Sequence, residues 1–152
     1  LTSRMATRWP IALLLLLVLL QIVAGAFVAG LDAGLSYNTW PLMGDTFVPT
    51  AIADLEPFWR NLFENVATVQ FDHRMLGYAI LLYAVLLLWT RRRNRFAGAE
   101  AWLPRLVFLI GLQVVLGIAT LLAAVPIWLA VHIHSRPRSS PPEMLSSPDT
   151  RW

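Results

Sequence analysis

The sequence contains no cysteine and no lysine, and charged residues make up only 14% of its 152 positions. Without cysteine there are no disulfides, thiolate nucleophiles or cysteine-ligated metal sites, so metal chemistry must use histidine, methionine or carboxylate ligands. Hydrophobic residues make up 57% of the chain and the mean hydropathy is +0.60, whereas soluble domains are about 45–50% apolar. These proportions exclude disorder of the whole chain and predict an integral membrane protein, with the lipid bilayer as its first partner.

The 12 basic residues, all arginine, exceed the 9 acidic residues and give a net charge of +3. A pI near 10 would normally raise nucleic acid as a partner. Here the charges are few and the arginines are clustered, which is typical of a membrane-topology signal. We therefore predict no nucleic-acid partner.

Apolar segments predict an all-α polytopic membrane bundle, because a spanning helix needs about 20 mostly apolar residues. Three full spans are expected at residues 10–31, 66–90 and 102–125, the first beginning at Pro10. A fourth, residues 126–134, starts at Pro126 and stops early, so it is predicted to be truncated. Residues 135–152 form an Arg/Ser/Pro-rich tail that we expect to be disordered.

Arginine placement predicts the orientation of the spans. Arg4 and Arg8 precede the first span, and the segment Arg91–Arg95 separates the second from the third. These positions lie on the same side of a three-span bundle, and the positive-inside rule makes that side cytoplasmic. The absence of lysine indicates a GC-rich genome and favours a bacterial inner membrane, with a mitochondrial membrane as the alternative. The loop 32–65 and a short connection at 123–126 would then lie outside.

Two alternatives concern the first half of the chain. Residues 4–26 also fit a secretory signal peptide with a cleavage site at Ala24-Gly25-Ala26, although that leaves the later spans unexplained. The chain begins with Leu1, which indicates a fragment or a non-standard start. In the outer loop, residues 50–65 carry apolar side chains at helical spacing and predict an amphipathic helix, either in the membrane interface or docked on the bundle.

The second span contains Asp72, His73 and Arg74, and ionisable groups inside a span usually face the bundle interior and are paired. His132 and His134 follow Pro126 by six and eight residues, so the three histidines are expected about 10 Å below the outer boundary. Imidazoles from two helices at one depth are what a bis-histidine heme requires. The pattern predicts a heme b with His73 as one axial ligand and His132 or His134 as the second.

Arg74 is a candidate to bind a heme propionate or to pair with Asp72. The alternative is a hydrogen-bonded interfacial histidine whose charged neighbours reach the headgroups. Gln21 and Gln113 are polar residues in mid-span that either bond across helices or touch a ligand, and packing is the simpler interpretation for both.

Several stretches together resemble heme A synthase. The matching stretches cover most of residues 20–131 and are residues 25–34, 37–43, 61–74, 116–121 and 125–126. Members of that family have eight spans in two similar halves and oxidise the C8 methyl of heme O to the formyl group of heme A. The resemblance implies an oxidoreductase working with heme O synthase and cytochrome oxidase, and a homo-oligomeric assembly.

The resemblance is to the second half of the family, which implies a heme b cofactor. The first half would hold heme O as substrate, heme A as product and a catalytic glutamate three residues before its own histidine. Gln70 stands at that position here, which fits a cofactor half with no catalytic residue of its own. His73 carries over as one axial ligand.

The second ligand does not carry over, because the family places a histidine seven residues after the proline and Ile133 stands there. His132 and His134 flank that position and point about 100° away from it on a helix. A change of reading frame near residue 131 is one hypothesis for the polar tail. An apolar continuation in another frame of the gene would support it, and an intact single frame would exclude it.

Two other function classes remain open. A small membrane cytochrome b for electron transfer needs the same ligands but no substrate half, so a matching four-span segment upstream in the gene would argue against it. A remnant without cofactor would use Asp72, His73 and Arg74 as a structural or proton-relay cluster and would show no heme absorbance.

Overall fold

The structure, a computed structural model, describes residues 2–93 and 102–135, with side chains described over 9–93 and 102–123. Within these ranges no strand occurs, and an isolated bridge joins Met43 and Thr46. The helices are α1 (Thr2–Gly30), α2 (Ala33–Ser36), the 3₁₀ helix η1 (Phe58–Arg60), α3 (Asn61–Glu64), α4 (Val66–Arg93) and α5 (Leu103–Ser135). The predicted all-α fold is confirmed. The predicted tail lies outside the described residues, apart from Ser135.

Three helical segments are long and apolar enough to cross a membrane, and they are Trp9–Gly30, Val66–Arg93 and Leu103–Ala123. They confirm the prediction of three full spans. Composition is sufficient for this result, because in a bilayer only a helix of about 20 residues satisfies every backbone polar group of such a segment.

Both proline-based boundaries differ from the prediction. Pro10 lies inside α1, which begins at Thr2. Residues 126–134, predicted as a truncated fourth span, continue α5 through Pro126, and the connection expected at 123–126 is not present. A proline removes one backbone hydrogen bond but does not impose a turn, so apolar residues on both sides can continue the helix. At 33 residues, α5 is about 50 Å long, more than the hydrocarbon thickness of about 30 Å.

Helix α4 is the centre of the fold, with α1 and α5 packed against it. Contacts between Pro10 and Tyr83 and between Gln21 and His73 make α1 antiparallel to α4. The buried cluster near the Arg91–Arg93 end of α4 consists of Leu14, Ile80, Ala84, Leu87 and Leu103. Outward-facing leucines and aromatics of α1 and α5 remain exposed, as expected of surfaces that lipid covers.

The helix predicted over residues 50–65 is shorter in the structure, where helical backbone covers only residues 58–64. Pro57 is extended, with φ −68° and ψ 152°, so the helix begins after it. The Asn61 side chain accepts a hydrogen bond from the Leu55 amide at 2.9 Å and donates one to the Leu55 carbonyl at 2.7 Å. These bonds fold the preceding segment back onto α3, which a continuous helix would prevent.

Candidate functional site

His73 lies on α4, half-buried against α1. The Gln21 side-chain nitrogen donates to the His73 carbonyl oxygen at 3.1 Å and lies 3.4 Å from the His73 Nε2. The Nδ1 atom is buried and has no hydrogen-bond partner, so one ring nitrogen is left unsatisfied.

Two glycines make this close contact between α1 and α4 possible. A Cβ at Gly25 would stand 3.2 Å from the His73 Cε1, and a Cβ at Gly77 would stand 3.2 Å from the Gln21 Nε2. Both distances are tighter than ordinary contacts of a Cβ. The imidazole and the amide therefore each occupy space that the facing helix leaves open by having no side chain.

Arg74 is directed to the outer loop and not to Asp72. Its guanidinium donates to the backbone carbonyls of Tyr37 at 2.7 Å, Thr39 at 3.0 Å and Leu42 at 3.1 Å. Asp72 is exposed. The ion pair that the described side chains do form is Arg60–Glu64, which lies in the outer loop and involves neither Arg74 nor Asp72. The pairing of Arg74 with Asp72, one of the two roles expected for Arg74, is therefore wrong, because side chains two positions apart on a helix point about 160° away from each other.

Two neighbours of Arg74 on the same face of α4 also hold the outer loop. Gln70 Nε2 donates to the Tyr37 carbonyl at 2.8 Å. The indole nitrogen of Trp40 donates to the Tyr78 hydroxyl at 2.8 Å. Residues 70, 74 and 78 are spaced by four, which places them in one row along the helix. We call this row the loop clamp. Sequence reasoning missed it, although the spacing of its polar and aromatic side chains was a visible signal.

The start of α4 is fixed by a second polar group. The Asn65 Oδ1 accepts a hydrogen bond from the Thr68 amide at 3.0 Å, which is N-cap geometry. The Asn65 amide donates to Asn61 at 3.0 Å and to the Ala51 carbonyl at 2.9 Å. The loop is thus bonded both to the first turn of α4 and to the turn that carries His73.

His132 and His134 belong to α5 by backbone, but their side chains lie outside those described. Their predicted depth required the chain to turn back at Pro126, and α5 does not turn there. Within the described ranges no group of three or more His, Asp or Glu side chains could hold a metal ion. The site that the structure describes is therefore His73 with Gln21, Gly25 and Gly77.

Comparison with known proteins places this sequence in a family. The sequence model of the COX15-CtaA family, described as cytochrome oxidase assembly protein, matches residues 1–135. The chain belongs to this family. Together with the candidate spans, the membership makes it an integral membrane protein.

Several bacterial proteins named heme A synthase are similar to this member of the family. The protein of Azorhizobium caulinodans is 51% identical over 118 residues, which cover 76% of this chain and 33% of that protein. The Parvibaculum lavamentivorans protein is 46% identical over 76% of this chain and 33% of its own length. The Bradyrhizobium diazoefficiens protein is 46% identical over 82% and 35%. The chain thus spans about a third of the curated relatives it matches, and no solved structure matches it.

Proposed function

We propose that the chain takes part in heme A biosynthesis as the part of a heme A synthase that carries a heme b cofactor. The proposed overall reaction is the oxidation of the C8 methyl of heme O to a formyl group, which makes the whole protein an oxidoreductase. Relatives named heme A synthase support the pathway. The observation that carries the cofactor role is the half-buried His73, whose ring has a buried nitrogen without a partner.

The described residues fit a heme ligand at one position. His73 supplies an imidazole inside a membrane span, and Gly25 places no side chain of its own against the Cε1 and Nδ1 atoms of that ring. Imidazole is a common axial ligand of heme iron, and a bound heme b would supply one-electron redox chemistry. The proposed second axial ligand is His132 or His134, and either would reach the same heme only if the chain turned back near Pro126, whereas α5 is continuous there in this structure.

Gln70 supports a cofactor role over a substrate role for this half. It lies three residues before His73, is only 2% exposed, and its amide nitrogen is bonded to the Tyr37 carbonyl. An amide does not titrate, so it cannot act as a general acid or base. In this proposal Gln70 and Arg74 hold the outer loop over the histidine-bearing turn of α4, while the substrate heme O and the product heme A bind elsewhere in the whole protein.

The proposed location is the bacterial inner membrane, with the chain's N-terminus and Arg91–Arg95 on the cytoplasmic side. Antiparallel packing brings the N-terminal end of α1 and the Arg91–Arg93 end of α4 to the same end of the bundle, and the positive-inside rule makes that end cytoplasmic. Proposed partners are the rest of the enzyme, further copies in a homo-oligomer, and heme O synthase and cytochrome oxidase as functional neighbours.

The test is a reduced-minus-oxidised optical spectrum of the purified chain expressed with heme available. We expect a b-type signal in the parent chain and its loss in His73→Ala. Gln113→Ala, an exposed mid-span change on α5, is the matched control and should keep the signal. Single alanine variants of His132 and His134 identify the second ligand. A parent chain without signal, or a His73→Ala chain with the parent signal, would refute the cofactor role.

A further inference from the structure

The helical segment η1–α3 of the outer loop, residues 58–64, turns a polar side chain to the protein and apolar side chains away from it. Asn61 is 1% exposed and hydrogen-bonded to the backbone of Leu55. Four large apolar side chains of the segment are between 46% and 66% exposed, and they are Phe58, Trp59, Leu62 and Phe63. We call these four residues the apolar face. A helix docked on a protein in water normally buries its apolar side chains, so this arrangement is the reverse of the usual one.

The charged and polar residues of this segment are already bonded to one another or to the loop. Asn61 and Asn65, one turn apart, are both buried, and Asn65 donates to the Ala51 carbonyl at 2.9 Å. Arg60 and Glu64, also one turn apart, form an ion pair. Because these two charges cancel, residues 58–64 have no net charge. A partner of this segment would therefore be bound through apolar contact and not through charge.

A contact with α1 fixes the depth of the apolar face in the membrane. The ring centroids of Phe63 and Phe27 lie 5.4 Å apart, with the ring planes inclined at 58°. Phe27 belongs to the candidate span Trp9–Gly30 and lies three residues from its end. The 22 residues of that span are about 33 Å long, close to the hydrocarbon thickness of about 30 Å. Phe27, and with it Phe63, therefore lies at the edge of the hydrocarbon layer.

Lipid is the occupant that this position favours for the apolar face. Val23, one turn from Phe27 on the same face of α1, is exposed on the surface that lipid covers. The apolar face continues that surface at the level where aromatic side chains are enriched in membrane proteins. We propose that the apolar face inserts into the interfacial layer of the bilayer, so that η1–α3 is a membrane anchor that holds the outer loop at the surface of the membrane. This role requires no cofactor and is independent of the proposed function.

The test places a spin label on the apolar face, which is direct because the chain contains no cysteine. A nitroxide is attached in Leu62→Cys, and the full chain is reconstituted in phosphatidylcholine vesicles. Paramagnetic resonance then measures collisions of the label with oxygen, which is apolar, and with a polar nickel chelate. Asp54→Cys, just before this segment and exposed, is the water reference, and the exposed mid-span Leu19→Cys is the lipid reference.

The expected difference follows from the burial of apolar surface. Moving the exposed half of a leucine-sized side chain from water into an apolar layer shifts an equilibrium about tenfold. The nickel chelate meets the label only while it is in water. We therefore expect about tenfold fewer nickel collisions at position 62 than at position 54, and more oxygen collisions, as at position 19.

Two other outcomes would overturn the inference. Nickel collisions at position 62 as frequent as at position 54 would mean that the apolar face lies in water. A label that meets neither reagent would mean that protein covers the face, as in a contact with a second copy. A further variant tests the face itself: Phe58→Ser with Trp59→Ser should raise nickel collisions at position 62, whereas Trp89→Ser, an equally exposed tryptophan at the Arg91–Arg93 end of α4, should not. An unchanged collision rate in the double variant would also overturn the anchor.

Discussion

Replacement of Arg74 by methionine removes the centre of the loop clamp while keeping an unbranched side chain of similar reach. In the structure the guanidinium joins α4 to three carbonyls of the outer loop, those of Tyr37, Thr39 and Leu42. We predict that Arg74→Met loosens residues 37–46 from α4 without unfolding the three spans, because the buried cluster around Ala84 lies toward the opposite end of α4.

The magnitude follows from the exposure of each bond. A hydrogen bond to a charged group contributes about 1.5–3 kcal/mol. The bond to Tyr37 is partly buried, whereas those to Thr39 and Leu42 are exposed, so water replaces much of what they lose. The full contribution of the partly buried bond, together with reduced contributions from the two exposed bonds, gives an expected loss of about 2–3 kcal/mol in the free energy that holds the loop on α4. At 1.4 kcal/mol per tenfold change, the loop should open about 30- to 140-fold more often.

Amide hydrogen exchange measures this opening at two reporter amides. Met43 donates to the Thr46 carbonyl at 2.7 Å and Gly44 donates to the Thr39 hydroxyl at 2.9 Å, so both are protected while the loop keeps its structure. The control is Arg60→Met, which makes the same chemical change at an exposed arginine and should leave these amides nearly unchanged. An increase of less than about threefold at both amides in Arg74→Met would refute the clamp.

Two further predictions concern the same loop. Asn61→Ala should lower the free energy of unfolding by about 3 kcal/mol, because the Leu55 amide and carbonyl lose their hydrogen-bond partner at a position where Asn61 is only 1% exposed. Denaturant unfolding measures this loss, with Asn38→Ala as the control. An equal loss in both variants would contradict the prediction. The hydrogen bond from Arg60 lowers the pKa of Glu64, so the pair stabilises the loop above the ordinary carboxyl range and loses that contribution as the pH falls through the lowered pKa. An NMR titration in which Arg60→Met leaves the Glu64 pKa unchanged would contradict the assignment.

The spans were predictable because their signal is local. An apolar run such as residues 10–30 can cross a bilayer only as a helix, and hydropathy identifies such a span without knowledge of how the helices pack. The effect of Pro10 and Pro126 was not predictable in the same way, and the helix boundaries expected at both prolines are absent from the structure. A proline is compatible with a helix start, an interior position or a break, and the choice depends on contacts such as that between Tyr83 and the Pro10 carbonyl.

The outer loop shows why amphipathic spacing alone misleads. The apolar residues of 50–65 repeat at helical intervals, but Pro57 and the Asn61 side chain divide the segment. The Asn61 side chain closes a local turn back to Leu55, which the spacing of apolar residues does not reveal. The site divides similarly. His73 stands out in the sequence as an ionisable group inside a span, whereas its contact with Gln21, 52 positions away, requires the packing of α1 on α4.

The measurement that most directly tests the account is chemical rescue of the proposed ligand. His73→Gly removes the imidazole and leaves a space beside Gly25. With heme available, this variant should lack the b-type spectrum of the parent chain and regain it when free imidazole is added. A His73→Gly chain that keeps the parent spectrum without imidazole would contradict the claim that His73 is an axial ligand.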